Sequence, residues 1–160
     1  MRTILSLAAL AALAGCGTSA YKPELEGKPT AVIRLTSLAS APARVAVLAG
    51  ECVPFEKAKW EKSTRSIAVV TGKEPAEQRV PAGQPLNLAY YTSTTTVSGN
   101  MATDAVCAVA TQFTPQAGAE YRATFVGDDD HCSLEIGRLA APGSRTLQPV
   151  TDAKAIPDCN

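Results

Sequence analysis

The sequence predicts an all-β protein, an antiparallel β-sandwich of about seven or eight short strands with one short helix or irregular crossover. Three observations lead there. From Ala31 onward, apolar residues recur in short runs of period two, the pattern of a strand with one buried face. Clusters of Pro, Gly, Ser and Asp punctuate the runs where turns are needed. Only one stretch, "VPFEKAKWEK", carries helical spacing instead.

"AVIRLTSL" opens the series, with Ile33 and Leu35 on one face and Arg34 and Thr36 on the other, and Ser40-Ala41-Pro42 breaks it. "ARVAVLAGEC" turns Val45, Val47 and Ala49 inward and carries Cys52 at its far end. In "VPFEKAKWEK", Pro54 suits a first helical turn, and Phe55 and Trp60 read as packing anchors because large aromatics usually serve cores. "RSIAVVT" is the third strand. "PLNLAYYT" is the fourth, with Leu86, Leu88 and Tyr90 opposed to Asn87, Ala89 and Tyr91. "AVCAVATQF" places Cys107, Val109 and Phe113 on one face, and "EYRATFV" does the same with Tyr121, Ala123 and Phe125. "CSLEIGRL" alternates Cys132, Leu134 and Ile136 against Ser133 and Glu135. A short eighth strand fits near Thr146 to Val150, held to a sheet edge by Pro149.

Between the fourth and fifth strands lies "YYTSTTTVSGNMATD", a long hydroxyl-rich connection. It reads as a continuation of the fourth strand into a long edge hairpin with Ser98-Gly99-Asn100 at its tip. Tyr91, Met101 and the Thr94, Thr95 and Thr96 cluster would offer a contact surface for an envelope protein or glycan, since exposed loops on rigid scaffolds often carry recognition.

The chain has five cysteines. Assigning Cys16 to lipid, as argued below, leaves Cys52, Cys107, Cys132 and Cys159, an even set that predicts two disulfides in an exported chain. If the last three well-marked strands form a meander, Cys107 and Cys132 are two strand spacings apart, about 9.6 Å. That exceeds the roughly 7 Å between α-carbons that a disulfide tolerates. The pairing favoured on this ground is Cys52 with Cys107 and Cys132 with Cys159; a Greek-key connection would restore the rejected pair.

"GDDDHC" gathers Asp128, Asp129, Asp130 and the chain's single histidine, His131. Three carboxylates and an imidazole could hold a divalent cation and support metal-assisted hydrolysis, the alternative function for this chain. Against it, Gly and Asp between two strands are what a tight turn calls for, and consecutive side chains diverge. The reading adopted is a solvated turn, with no metal site and no cofactor. Catalytic arrangements are otherwise sparse. Any histidine-dependent nucleophile would need His131, no Gly-x-Ser-x-Gly elbow occurs, and no glycine-rich phosphate loop is present. The domain therefore reads as a non-enzyme.

Lys and Arg number 15 and Asp and Glu number 15. Removing Arg2 with the leader leaves fourteen against fifteen, a near-neutral balance that argues against nucleic acid, which demands a basic stripe.

The first residues supply the address. Arg2 is followed by an apolar run from Ile4 to Leu13 and then by small residues, the layout of an export signal, and the run is far short of the roughly 20 residues a membrane-crossing helix needs. Leu13-Ala14-Gly15-Cys16 resembles the lipobox of bacterial lipoproteins. That resemblance implies that the Cys16 thiol receives a diacylglycerol, that the chain is cut just before it, and that the new amino group is acylated, for instance with palmitate. Two or more acyl chains anchor stably where one is marginal. Gly17 is not the acidic residue that retains many such proteins at the inner membrane, which implies the periplasmic face of the outer membrane. The implied organisation is a lipoprotein signal peptide over 1–15, the lipidated cysteine and a flexible tether over 16–30, and the sandwich over 31–160. Extended, the tether would reach about 45 Å from the lipid. The chain as a whole resembles small proteobacterial envelope lipoproteins with a transthyretin-like or immunoglobulin-like domain. The expected function is a membrane-anchored, periplasm-facing binding or structural module of the cell envelope.

Overall fold

A computed structural model describes residues 25–71, 75–127 and 131–159. Ten strands and one helix follow in the order β1 (Thr30–Ser37), β2 (Ala43–Leu48), α1 (Lys57–Ser63), β3 (Thr64–Val70), β4 (Ala76–Pro81), β5 (Leu86–Ser98), β6 (Met101–Phe113), β7 (Glu120–Gly127), β8 (Cys132–Leu139), β9 (Leu147–Pro149) and β10 (Lys154–Ile156). They form two five-stranded sheets, ordered β4-β1-β7-β8-β9 and β10-β6-β5-β2-β3. Within the sheets β1 pairs with β7 in parallel and the other neighbours are antiparallel. The expected all-β sandwich is what the chain forms. Because β1 and β2 lie in opposite sheets, the strand order differs from that of an immunoglobulin constant domain, which keeps its first two strands together.

Alternation does what period two demands. Ile33 and Leu35 of β1, Val45 of β2, Leu88 and Tyr90 of β5, Phe113 of β6, and Tyr121, Ala123 and Phe125 of β7 meet between the sheets. The Tyr90 and Phe125 rings stack with centroids 5.4 Å apart, and Phe113 tilts against Tyr121 at 5.2 Å. The buried Tyr90 hydroxyl donates to the Ala123 carbonyl at 3.2 Å, and burial pushes its phenol above the usual tyrosine range.

A second core covers the other face of the second sheet. Ala46 of β2, Ala89 of β5 and Ala110 of β6 are register neighbours in one row, and these small side chains leave room for a covering layer. Trp60 of α1 and Val53 pack into that layer with Leu48 and Tyr91, and the Trp60 and Tyr91 rings lie 5.0 Å apart. This is why β2 and β5 are apolar on both faces at their centres. A bulge between Val45 and Ala46 adjusts β2 against β3.

Several expectations need correction. The helix starts at Lys57, so Pro54 precedes it; Trp60 is the anchor, whereas Phe55 is 40% exposed. β2 ends at Leu48, leaving Ala49 exposed and Cys52 in the following loop. Thr30, counted with the tether, is the first residue of β1. β4 and β10 were not foreseen; β4 buries a single apolar side chain fully, Val80, and β10 is three residues long. β9 lies at a sheet edge where the eighth strand was expected.

The favoured disulfide pairing is overturned. The bridges are Cys52–Cys159, with α-carbons 5.0 Å apart, and Cys107–Cys132, at 5.9 Å. The meander assumption fails because the chain leaves β6 in one sheet and enters β7 in the other, so Cys107 looks across the sandwich at Cys132 of β8. Cys52–Cys159 instead closes the opposite end, beside a bridge between Val53 and Asp158 in which the Cys159 N–H donates to the Val53 carbonyl.

Candidate functional site

β5 and β6 are each 13 residues long and pair along their full length, from Leu86 with Phe113 to Ser98 with Met101. Their flanking strands are shorter. β2 follows β5 only as far as Tyr91, opposite Arg44, and β10 follows β6 only over Ala110, Thr111 and Gln112. Residues 93–106 therefore extend as a two-stranded arm, the long hairpin expected from the sequence.

Local chemistry holds the arm. A two-residue turn joins Ser98 to Met101, with Gly99 at φ 60° in its first central position, the type II′ arrangement that matches strand twist. The β-branched residues Thr94, Thr95, Thr96 and Val97 favour extended backbone. Thr95 Oγ1 donates to Asp104 Oδ1 across the pair at 2.6 Å. At the base, Thr92 Oγ1 donates to the Pro42 carbonyl at 3.1 Å, and Cys107, the register neighbour of Thr92, is bonded to Cys132 in the facing sheet. Gly127 closes this corner tightly: a Cβ there would sit 2.8 Å from the Phe125 ring.

What the arm presents is uncharged apart from Asp104. Val97 is 70% and Met101 72% exposed, and Val106 is exposed as well. Leu38 and Val126, also exposed, lie at the same end of the sandwich, where β1 and β7 finish side by side. Met101 and the Thr94 to Thr96 cluster are on the arm as expected. Tyr91 is not part of the surface, being buried against Trp60. The sequence reading missed Val97, Val106, Leu38 and Val126. Val97 and Val106 are exposed because β5 and β6 outrun both neighbouring strands and bury neither face there, which only the lengths of β2 and β10 reveal.

Two concavities flank this architecture. A cleft of about 20 Å³ at the arm's base, between Ala41, Thr94 and Gly127, has room for little more than one water. A groove of about 550 Å³ runs between α1 and β3, lined by Trp60, Thr64, Arg65, Ser66 and Val69. Arg44 and Glu61, both about half exposed, pair across it at 3.3 Å. It gathers no nucleophile with a base. Among the described residues no group of three or more His, Cys, Asp or Glu side chains is placed to hold a metal ion. Asp128, Asp129 and Asp130 lie outside the described residues, while His131 is exposed at the arm's end of the sandwich. Cys16 also lies outside the described residues. No helix among the described residues is long and apolar enough to cross a membrane.

The two ends of the sandwich differ. β1 begins at Thr30 beside the β6–β7 loop, where the Gly118 N–H donates to the Thr30 carbonyl, and Leu86 and Phe113 mark the same end on the facing sheet. The described N-terminal segment thus enters at the end opposite the arm. In comparisons with known proteins, no family model, no curated protein and no solved structure matches this chain.

Proposed function

We propose that the chain is a lipid-anchored lipoprotein facing the periplasm, held through Cys16, whose sandwich is a non-enzymatic binding or structural module of the cell envelope and whose β5–β6 arm is the contact element. One observation carries the reading: the stapled arm projects from the end of the domain opposite the entry of the N-terminal segment. With residues 16–29 as tether, the lipid is at one end and the arm at the other, and the arm can reach up to about 43 Å plus the body's length from the bilayer. A partner of this arm would be recognised through main-chain hydrogen bonds, threonine hydroxyls and small apolar side chains rather than through charge.

The test uses the full chain in a bacterial host. Metabolic labelling with palmitate should mark the protein, and Cys16→Ser should abolish the label and release the protein from the membrane fraction. Shortening the arm by joining Thr94 to Ala105 through Gly-Asn should leave anchoring intact and remove cross-links to envelope components. Label that survives Cys16→Ser overturns the anchor; cross-links unchanged by arm removal overturn the contact element.

A further inference from the structure

We propose that the free edge of β5 in the arm pairs antiparallel with the same edge of a second copy of this chain, centred on Thr95, joining two arms into one four-stranded sheet. This rests on the reading that the arm is the contact element, and it names the partner.

The backbone states the first requirement. Among the described residues, no strand lies along residues 93–98 on the side away from β6. A two-residue turn makes Ser98 and Met101 a hydrogen-bonded pair, so Thr96 and Thr94 also bond to β6. Ser93, Thr95 and Val97 then aim their N–H and C=O groups at the open side. Tyr91, next in the same series, meets β2 there, as this alternation demands. Natural edge strands are usually guarded by Lys, Pro, a bulge or a short length. Residues 93–98 carry none of the first two, register without a bulge, and continue a strand of 13 residues. The occupant an edge of this kind takes is another extended strand.

Charge selects which edge and which strand. The outward groups of β6 belong to Ala102, Asp104 and Val106; self-pairing there in the register that uses all three would set Asp104 opposite Asp104 of the second copy, about 5.5 Å apart by α-carbons. Like charges directly opposite are destabilising. On β5, only the register centred on Thr95 matches all three outward residues to outward residues: Thr95 with Thr95, and Ser93 with Val97 in both directions. The two Asp104 carboxylates are then three strand spacings apart, about 14 Å, beyond the screening length at physiological salt. Thr94 faces Thr96 of the second copy on the other face, a favourable cross-strand pair. The exposed Val97 joins a row with Ser93 and Val106 of the second copy.

The overlap from Ser93 to Val97 spans about 14 Å and stops short of Thr92, beside which Pro42 lies, with the two sandwiches at its opposite ends. The Cys107–Cys132 bridge and the Thr92 to Pro42 hydrogen bond hold the arm in place beforehand, which lowers the cost of ordering it on contact. The interface is below the size of a stable dimer in dilute solution, so it depends on confinement of tethered copies to one membrane, which raises their effective concentration.

The test is site-directed cross-linking of the full chain in bacterial envelopes. Mild oxidation of Thr95→Cys should give a species of twice the chain mass on a non-reducing gel, since paired α-carbons about 5.5 Å apart suit a disulfide. Co-expressed Ala102→Cys and Val106→Cys chains, which keep Asp104 and would face each other if the β6 edges paired, should give none. Co-expressed Ser93→Cys and Val97→Cys chains should link to each other, and adding Thr95→Pro to both should cut that yield at least about tenfold. Proline there removes only outward N–H groups and leaves the β5–β6 ladder intact, so the arm itself survives. Absence of the Thr95→Cys dimer, or stronger linking between the Ala102→Cys and Val106→Cys chains, overturns the pairing. A Thr95→Cys adduct with a different envelope protein also overturns it while sustaining the arm as the contact element.

Discussion

Replacing Trp60 by alanine probes the second core in isolation from the first. Helix α1 has seven residues and no side-chain cap at Glu56, and isolated helices of such length do not persist in water. It stays because Trp60, 2% exposed, is packed with Leu48, Val53 and Tyr91 over the alanine row. Removing a buried Trp side chain costs about 3–5 kcal/mol when the site cannot collapse, and a cavity floored by β-sheet backbone has little means of collapsing. For a domain of this size that corresponds to a melting-point drop of roughly 10–20 °C. The assay is urea and thermal unfolding followed by circular dichroism, with the disulfides intact. Phe55→Ala is the control, since its side chain is 40% exposed and should cost under about 1 kcal/mol. Because Trp60 is the chain's single tryptophan, its fluorescence in the unsubstituted protein reports helix docking directly. A Trp60→Ala loss below about 1 kcal/mol, or a Phe55→Ala loss as large, would refute the account of α1 as a lid fastened by one side chain.

Further predictions address the staples, the arm, the buried phenol and the acidic run at Asp128 to Asp130. Peptide mapping without reduction should recover Cys52 linked to Cys159 and Cys107 linked to Cys132. Loop closure ranks their removal: about 4.8 kcal/mol for the bridge spanning 107 residues and about 3.5 kcal/mol for the one spanning 25, measured by denaturant unfolding of the paired alanine variants. Gly99→Val, which forces a β-branched side chain to φ 60°, should destabilise the turn by about 1–2 kcal/mol and increase amide exchange in residues 93–106 without altering the melting of the body. Tyr90 holds its proton more tightly folded than unfolded, so its contribution is complete below the unfolded value of about 10 and declines as pH rises above it. Tyr90→Phe should lack that alkaline decline and lose about 1 kcal/mol at neutral pH with the hydrogen bond to Ala123. Calorimetric titration of the full chain with calcium, zinc and manganese should show no binding. A micromolar site abolished by Asp129→Ala and by His131→Ala would establish the metal-binding alternative.

Much of the body was legible in the sequence because period two and burial say the same thing at Ile33 and Leu35, at Leu86, Leu88 and Tyr90, and at Tyr121, Ala123 and Phe125. β4 escaped because an edge strand of Ala76, Glu77, Gln78, Arg79 and Val80 buries too little for alternation to register. The disulfides were misread for a topological reason. Periodicity locates strands but does not say when the chain changes sheets, and the six residues between Phe113 and Glu120 make that change. Tyr91 was placed on the surface because a strand covered on its second face by a helix looks, in sequence, like one with a solvated face. The arm was found because hydroxyl-rich β-branched residues around Gly99 have no other economical reading. Its open edge became visible only with the lengths of β2 and β10.

The parallel contact between β1 and β7 sets a timetable for the polypeptide. Val32 meets Glu120, and Ser37 meets Phe125, so β1 waits for its partner β7, the central strand of the first sheet, which follows 88 residues later. Until that late segment emerges, the earliest strand has only β4 beside it. Long-range pairings of this kind assemble slowly. A truncation anywhere before Glu120 leaves the first sheet without its middle.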